Sequence, residues 1–171
     1  MKNIAILFFL LFSFNAAFAQ MPNGKEKITS SDTAFEKELV RLVNAERKKK
    51  ALKPLAWDEK LAYAARYHAS DMIKDQYFEH ESYDRNNKKL KKIGMTFDRL
   101  RKFTGTAYTG LSENIGAGQT TAKEMVKVWM NSSGHRANIL DEKAKFIGVG
   151  YIYSEEDPEE LQHYWVMDAG Y

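Results

Sequence analysis

Apolar residues recur with a helical period in the first half of the chain and with a period of two in its last third. Phe35, Leu39, Leu42 and Val43 fall at i, i+4, i+7 and i+8, while Glu36, Lys37, Arg41 and Arg47 lie off that stripe. This spacing predicts an amphipathic helix with one face on a core, opened by Ser31 or Asp32 as its cap. Pro54 then interrupts the pattern. Asp58 is placed to cap a second helix, on which Leu61, Ala64, Ala65, His68 and Met72 share a face. Thr96 to Phe103 (TFDRLRKF) reads as a short third helix. Thr121 to Glu124 matches the S/T-x-x-E capping box, and Ala122, Met125, Val126 and Trp129 give the helix that follows its buried face. That helix is expected to end near Ser133-Gly134, with His135 at the start of another.

Beyond Gly105 the pattern shifts. Ala107 to Gly118 (AYTGLSENIGAG) mixes small and β-prone residues with glycines that let the backbone bend or approach a neighbour. Phe146 to Tyr153 (FIGVGYIY) alternates Ile147, Val149, Tyr151 and Tyr153 with Gly148 and Gly150, the pattern of a strand packed closely on one face. An acidic turn, Glu155 to Glu160, leads to a return strand, Leu161 to Met167. Helices first and paired strands last predict an α+β fold with the sheet covered by helices. Arg85 to Lys92 (RNNKKLKK) reads as a solvated basic loop, and Lys48 to Lys50 as ordinary helix-end charge.

The amino end follows a different logic. Ile4 to Phe14 is almost wholly apolar, Lys2 precedes it and Ala17-Phe18-Ala19 follows, which is the pattern of a cleaved signal peptide. The apolar run is shorter than the roughly 20 residues of a transmembrane helix, so no membrane anchor is expected. The expected organisation is a signal peptide over residues 1–19, a flexible leader over 20–31 and one domain over 32–171. Export would deliver it to the periplasm or the medium. Removing 19 of the 171 residues leaves 152, enough for one domain with a substantial core. Losing Lys2 takes the formal charge from +3 to +2, which gives no reason to expect nucleic acid as a partner. The chain has no cysteine, so packing rather than disulfides must hold it together.

The absent cysteine also excludes a thiol nucleophile and a Cys-based zinc site. No G-x-S-x-G, H-E-x-x-H or Walker sequence is present. Four histidines remain: His68, His80, His135 and His163. His68, on the apolar face of the second helix, is expected to be a packed core residue with one satisfied nitrogen. His80 and His135 stand at element ends, where side chains converge on clefts without disturbing a helix interior. Glu113 sits between Ser112 and Asn114, and there it suits a loop-holding hydrogen bond as well as it suits chemistry.

The segments Leu61-Ala62-Tyr63-Ala64-Ala65, Phe78-Glu79-His80, Phe97-Asp98-Arg99-Leu100, Glu113-Asn114-Ile115, Trp129-Met130-Asn131-Ser132, Gly134-His135-Arg136-Ala137-Asn138-Ile139-Leu140, Ile147-Gly148-Val149-Gly150 and Tyr164-Trp165-Val166 occur in this order. Together they resemble the CAP superfamily, the cysteine-rich secretory protein, antigen 5 and pathogenesis-related 1 group, in its bacterial SCP-like form. The resemblance runs from about Phe35 to Tyr171. It implies a three-layer α-β-α sandwich with a mainly antiparallel central sheet and a large cleft. It also implies that His80, Glu113 and His135 line that cleft as catalytic or metal-binding residues, for a divalent metal such as zinc, with Ser132 and Asn114 beside them as binding residues. The family's second glutamate falls on Ser132, which holds no charge at neutral pH, so the tetrad is incomplete. Two imidazoles and one carboxylate suit zinc with an open position for water, but hydrolysis also needs a general base. The resemblance therefore favours a binding module over an enzyme, with a small molecule, lipid or sterol, peptide or glycan fragment as ligand. A metal-assisted or His/Glu-based hydrolase acting on an envelope polymer is the alternative. Two departures from the family remain: the basic run before Phe97-Asp98-Arg99-Leu100 resembles an insertion at the cleft rim, and Ala169 replaces a bulky aromatic.

Overall fold

The structure, a computed structural model, describes residues 21–86 and 89–171. The expected signal peptide, residues 1–19, lies outside the described residues. Among the described residues no helix is long and apolar enough to cross a membrane.

Local signals placed the helices. Helix α1 (Thr33–Lys49) is capped by Asp32, whose carboxylate accepts from Ala34 N and Phe35 N. Helix α2 (Glu59–Asp75) is capped in the same way by Asp58. Each cap satisfies backbone N–H groups that a first helical turn leaves without partners. A short helix α3 (Thr96–Thr104) has no side-chain cap. Helix α4 (Ala122–Asn131) is opened by Thr121, and α5 (Ser133–Ile139) follows directly, the break falling at extended Ser132.

The sheet contains β1 (Ala56–Trp57), β4 (Leu111–Ala117), β5 (Phe146–Tyr153) and β6 (His163–Gly170), in the order β1-β5-β6-β4. It is mixed: β1 runs parallel to β5, while β5 with β6 and β4 with β6 are antiparallel. Ala107 to Gly118, read from sequence as a bending stretch, thus contributes a regular edge strand. A separate hairpin, β2 (Ser82–Asn86) with β3 (Lys89–Gly94), replaces the loop expected at the basic run. Its Tyr83 packs on Tyr77, and Arg85 donates to the carbonyls of Asp75 and Gln76 at the end of α2.

Alternation along the strands sorts the core into two layers. Ile147, Val149, Tyr151, Trp165, Met167 and Ala169 face α1, α4 and α5, meeting Leu39, Val43, Met125, Trp129 and Ile139. Ile115, Tyr164 and Val166 face α2, meeting Ala65, Ala69 and Met72. Helices on both faces of one sheet make the α-β-α sandwich. Gly148 and Gly150 let α2 lie almost on β5: a Cβ on Gly148 would stand 2.1 Å from Ala62 N, and one on Gly150 2.3 Å from Arg66 N.

Two charged residues off the apolar stripe of α1 are buried, contrary to the pattern. Arg47 is 1% exposed and donates to the carbonyls of Lys53, Ile139, Asp141 and Ala144. Glu36 pairs with Arg66 and also accepts from Tyr151 N. The segment from Met21 to Ser31 has no regular structure but is packed. Met21 lies against Gly94, Lys27 stands over the Tyr63 ring and Ser31 N donates to Tyr151 O.

Candidate functional site

The expected site residues gather at the β4 edge of the sheet. Edge strands expose backbone groups that invite pairing with another chain, and here side chains cover them. Trp129 Nε1 donates to Ile115 O at 2.9 Å, and Asn138 Nδ2 donates to Glu113 O at 3.1 Å. Asn138 Nδ2 also donates to Asn114 Oδ1, and Asn114 Nδ2 donates to His135 O. Asn114 is wholly buried. It ties α5 to β4. Ser132 marks the helix break, and its side chain caps neither helix.

Glu113 points to the α2 side of the sheet, as Ile115 does two residues on, and there it organises a buried charge cluster. Arg99 of α3, fully buried, donates through Nη2 to Glu113 Oε2. Its Nη1 donates to His80 O at 2.9 Å and to Ser82 Oγ at 3.2 Å. Thr96 Oγ1 donates to the same His80 carbonyl at 2.9 Å. The first turns of α3 thereby grip the backbone of His80, while the ring reaches Glu113 Oε1 through Nδ1 at 2.9 Å. Glu113 is ionised: burial pushes its carboxyl up, but Arg99, with His68 and His80, overrides that and holds it at about 2. An ionised carboxylate only accepts, so His80 Nδ1 carries the proton and Nε2 is the ring's second nitrogen. The hydrogen bond that Nδ1 donates to Glu113 raises the His80 pKa above its ordinary value.

Two more buried groups complete the cluster. His68 behaves as expected, with no exposure, Nε2 3.0 Å from Glu79 O and Nδ1 without a partner. Burial, reinforced by Arg99, pushes its pKa down to about 3, so it is neutral. Asp168, on β6 directly opposite Glu113, was not anticipated. It is fully buried, and neither oxygen has a hydrogen-bond donor among the described residues. Burial and the adjacent Glu113 charge raise its pKa well above the carboxylate range. The buried setting and the neighbouring carboxylate thus both favour the protonated form of Asp168.

Above the cluster lies an open cavity of about 360 Å³, lined by His80, Thr96, Phe97, Leu111, Ser112, Glu113, Asn138 and Tyr171. His80 is the accessible member, its side chain 45% exposed against 1% for Glu113. His135 sits beside this cavity rather than in its wall. Its ring is 6.4 Å from Trp129, Nδ1 is buried without a partner, and burial, with His80 nearby, pushes its pKa down. Among the described residues no group of three or more His, Asp or Glu side chains could hold a metal ion. Both Glu113 oxygens are already taken, by His80 and Arg99. As arranged, the trio does not fit a three-ligand zinc centre, and Glu113 orients an imidazole instead. His163 is separate, its Nδ1 2.8 Å from Tyr151 Oη. Arg99 and Asn138 belong to segments that carry the resemblance, yet a lone arginine within Phe-Asp-Arg-Leu gave no sign that it would be buried against Glu113.

A model of the cysteine-rich secretory protein family, CAP, matches residues 40–169. The uncharacterized protein YkwD of Bacillus subtilis (strain 168) is 44% identical over 138 residues, 81% of this chain and 50% of that protein. The chain thus spans about half the length of that relative. The crystal structure of an extracellular protein containing an SCP domain from Bacillus anthracis str. Ames is similar at a TM-score of 0.66 and 27% identity, covering 81% of this chain and 41% of that one. An outer surface protein from Borrelia burgdorferi shares the fold at a TM-score of 0.69 and 18% identity, covering 84% of this chain and 98% of that one.

Proposed function

The chain belongs to the cysteine-rich secretory protein family, and from that premise we propose that it is a binding module whose His80 cleft takes a small ligand outside the cytoplasm. The observation that carries this reading is the setting of His80. A half-exposed imidazole is fixed at Nδ1 by a buried carboxylate, which is fixed in turn by a buried guanidinium. Such a chain presents one oriented ring to the cavity and loses little entropy on binding. Phe97 and Leu111 add apolar wall, and Asn138 adds a polar edge. A lipid or sterol headgroup, a peptide or a glycan fragment each suits an imidazole that accepts or donates one hydrogen bond. Metal binding is the weaker arm, because with Glu113 spent on His80 and Arg99 a zinc ion would have only the two imidazoles. Placement outside the cytoplasm is supported by the signal-like amino end and by the similarity to an extracellular Bacillus anthracis protein.

Hydrolysis is the second reading, favoured by one feature: a histidine held by a carboxylate is the geometry of a general base. Ser112 lines the same cavity, but its Oγ makes no hydrogen bond to His80, so in this reading the base acts on water.

NMR of the histidine ring signals tests the reading. Zinc, a short-chain fatty acid, a sterol, a tripeptide and a trisaccharide are titrated in turn. A saturable shift of the His80 signal by one organic member, lost in His80→Ala, is expected. No response of His80 to any of them refutes the binding proposal. Tight one-to-one zinc binding by calorimetry, lost in both His80→Ala and His135→Ala, would instead show that the two imidazoles hold a metal ion.

A further inference from the structure

At the sheet edge opposite β4, Trp57 of β1 borders a second cavity of about 520 Å³ that shares no lining residue with the His80 cleft. Its floor is an ion pair withdrawn from water. Arg66 Nε donates to Glu36 Oε1 at 2.9 Å, and Nη2 donates to Glu36 Oε2 at 2.6 Å. The Arg66 side chain is 9% exposed and that of Glu36 1%. Two-point pairing holds the guanidinium plane rigid and leaves Nη1 as its open edge.

Nη1 meets Glu59 Oε1 at 3.4 Å, the outer limit of a hydrogen bond. The other oxygen of Glu59 accepts from Trp57 Nε1 at 2.8 Å. One half-exposed carboxylate therefore spans an indole N–H and a guanidinium N–H at the mouth of a cavity. The guanidinium, which lies 6.0 Å from the Trp57 ring and 5.9 Å from the Tyr63 ring, is fixed by its two bonds to Glu36. The acceptor is not, because an exposed ion pair of this length contributes little and an exposed glutamate turns away cheaply. Lys37 lines the same cavity. When Glu59 swings out, the mouth keeps one cation beyond the neutral Glu36–Arg66 pair.

We propose that Trp57 and Arg66 form a carboxylate-binding site, filled in the free protein by Glu59 and taken over by the carboxylate of a ligand whose body lies in the cavity beside Trp57. An acidic sugar and the C-terminus of a peptide both present this group. The site is independent of the His80 cleft and of any metal.

The three tryptophans provide a direct reporter, because Trp57 is 38% exposed while Trp129 and Trp165 are wholly buried. Indole N–H signals of ¹⁵N-labelled protein are followed at constant ionic strength. The probes are d-glucuronate and N-acetyl-alanine, with d-glucose and N-acetyl-alanine amide as neutral counterparts. An acid is expected to shift the Trp57 signal saturably while its neutral counterpart does not, and the tighter acid identifies the source. Glu59→Ala removes the internal competitor and is expected to tighten binding about three- to tenfold. Arg66→Lys is expected to weaken it, with unmoved Trp129 and Trp165 signals confirming the fold. Equal shifts from acids and neutral counterparts, or no shift from either acid in both wild type and Glu59→Ala, would overturn the proposal.

Discussion

Glu113→Gln removes the charge on which the buried cluster turns while keeping the shape of the side chain. Arg99 has no exposure, so the substitution leaves a guanidinium in the core without its counter-ion. Removing one partner of a buried pair costs about 3–5 kcal/mol, because the remaining charge stays desolvated. One group is placed to rescue it. Burial and the adjacent Glu113 charge together raise the Asp168 pKa, and glutamine at 113 removes the second of these, so that Asp168 ionises more readily beside Arg99. The single variant is therefore expected to lose less than this range, and Glu113→Gln with Asp168→Asn, which removes both carboxyls, is expected to lose all of it. For a domain of this size that loss corresponds to roughly 6–20 °C in melting temperature. The pH dependence has a definite sign. The folded pKa of His80 is raised by Glu113, so its contribution is complete below the unfolded value of about 6.5 and is lost as pH rises through the folded pKa. Glu113, lowered to about 2, contributes above the unfolded value of about 4.5 and loses that contribution as pH falls toward 2. Both contributions are present at pH 5.5, so the deficit of either variant should be larger there than at pH 8. Denaturant unfolding followed by tryptophan fluorescence at the two pH values measures this. A double variant within about 1 kcal/mol of wild type at pH 5.5 would refute the view that Arg99 and Glu113 are an interdependent buried pair.

Gly148→Ala should destabilise the domain by about 1–3 kcal/mol or more, since its Cβ would meet the backbone of α2, which cannot yield as a side chain can; thermal unfolding by circular dichroism checks this, and an unchanged melting temperature contradicts the close approach of α2 to β5. In an NMR pH titration the four histidines should charge in a set order as pH falls, with His80 first, His135 and His163 below the ordinary value, and His68 still neutral at pH 5. Early titration of His68 would show that it is not sealed in the core.

What the sequence determined by itself is what neighbouring residues decide between them. Asp32, Asp58 and Thr121 cap the helices that the apolar periodicity predicts, because a cap reaches only two or three residues along the chain. The alternation in Phe146 to Tyr153 and its acidic turn are likewise local, and the β5–β6 pairing followed from them. His80, Glu113 and His135 were legible as a set through their motifs, and the structure brings His80 and Glu113 into contact with His135 beside them. The tertiary structure alone decided which charges go inside. Arg47 and Glu36 read as surface residues, but their partners Ile139 O and Tyr151 N lie 92 and 115 residues away. The β2–β3 hairpin carried no apolar alternation, since Tyr83 and Arg85 hold it against the end of α2. Asp168 met Glu113 only through the β4–β6 register, and that meeting, together with burial, raises the Asp168 pKa. Periodicity reports which face of an element is apolar; the cost of burying a charge depends on a partner that only the folded chain supplies.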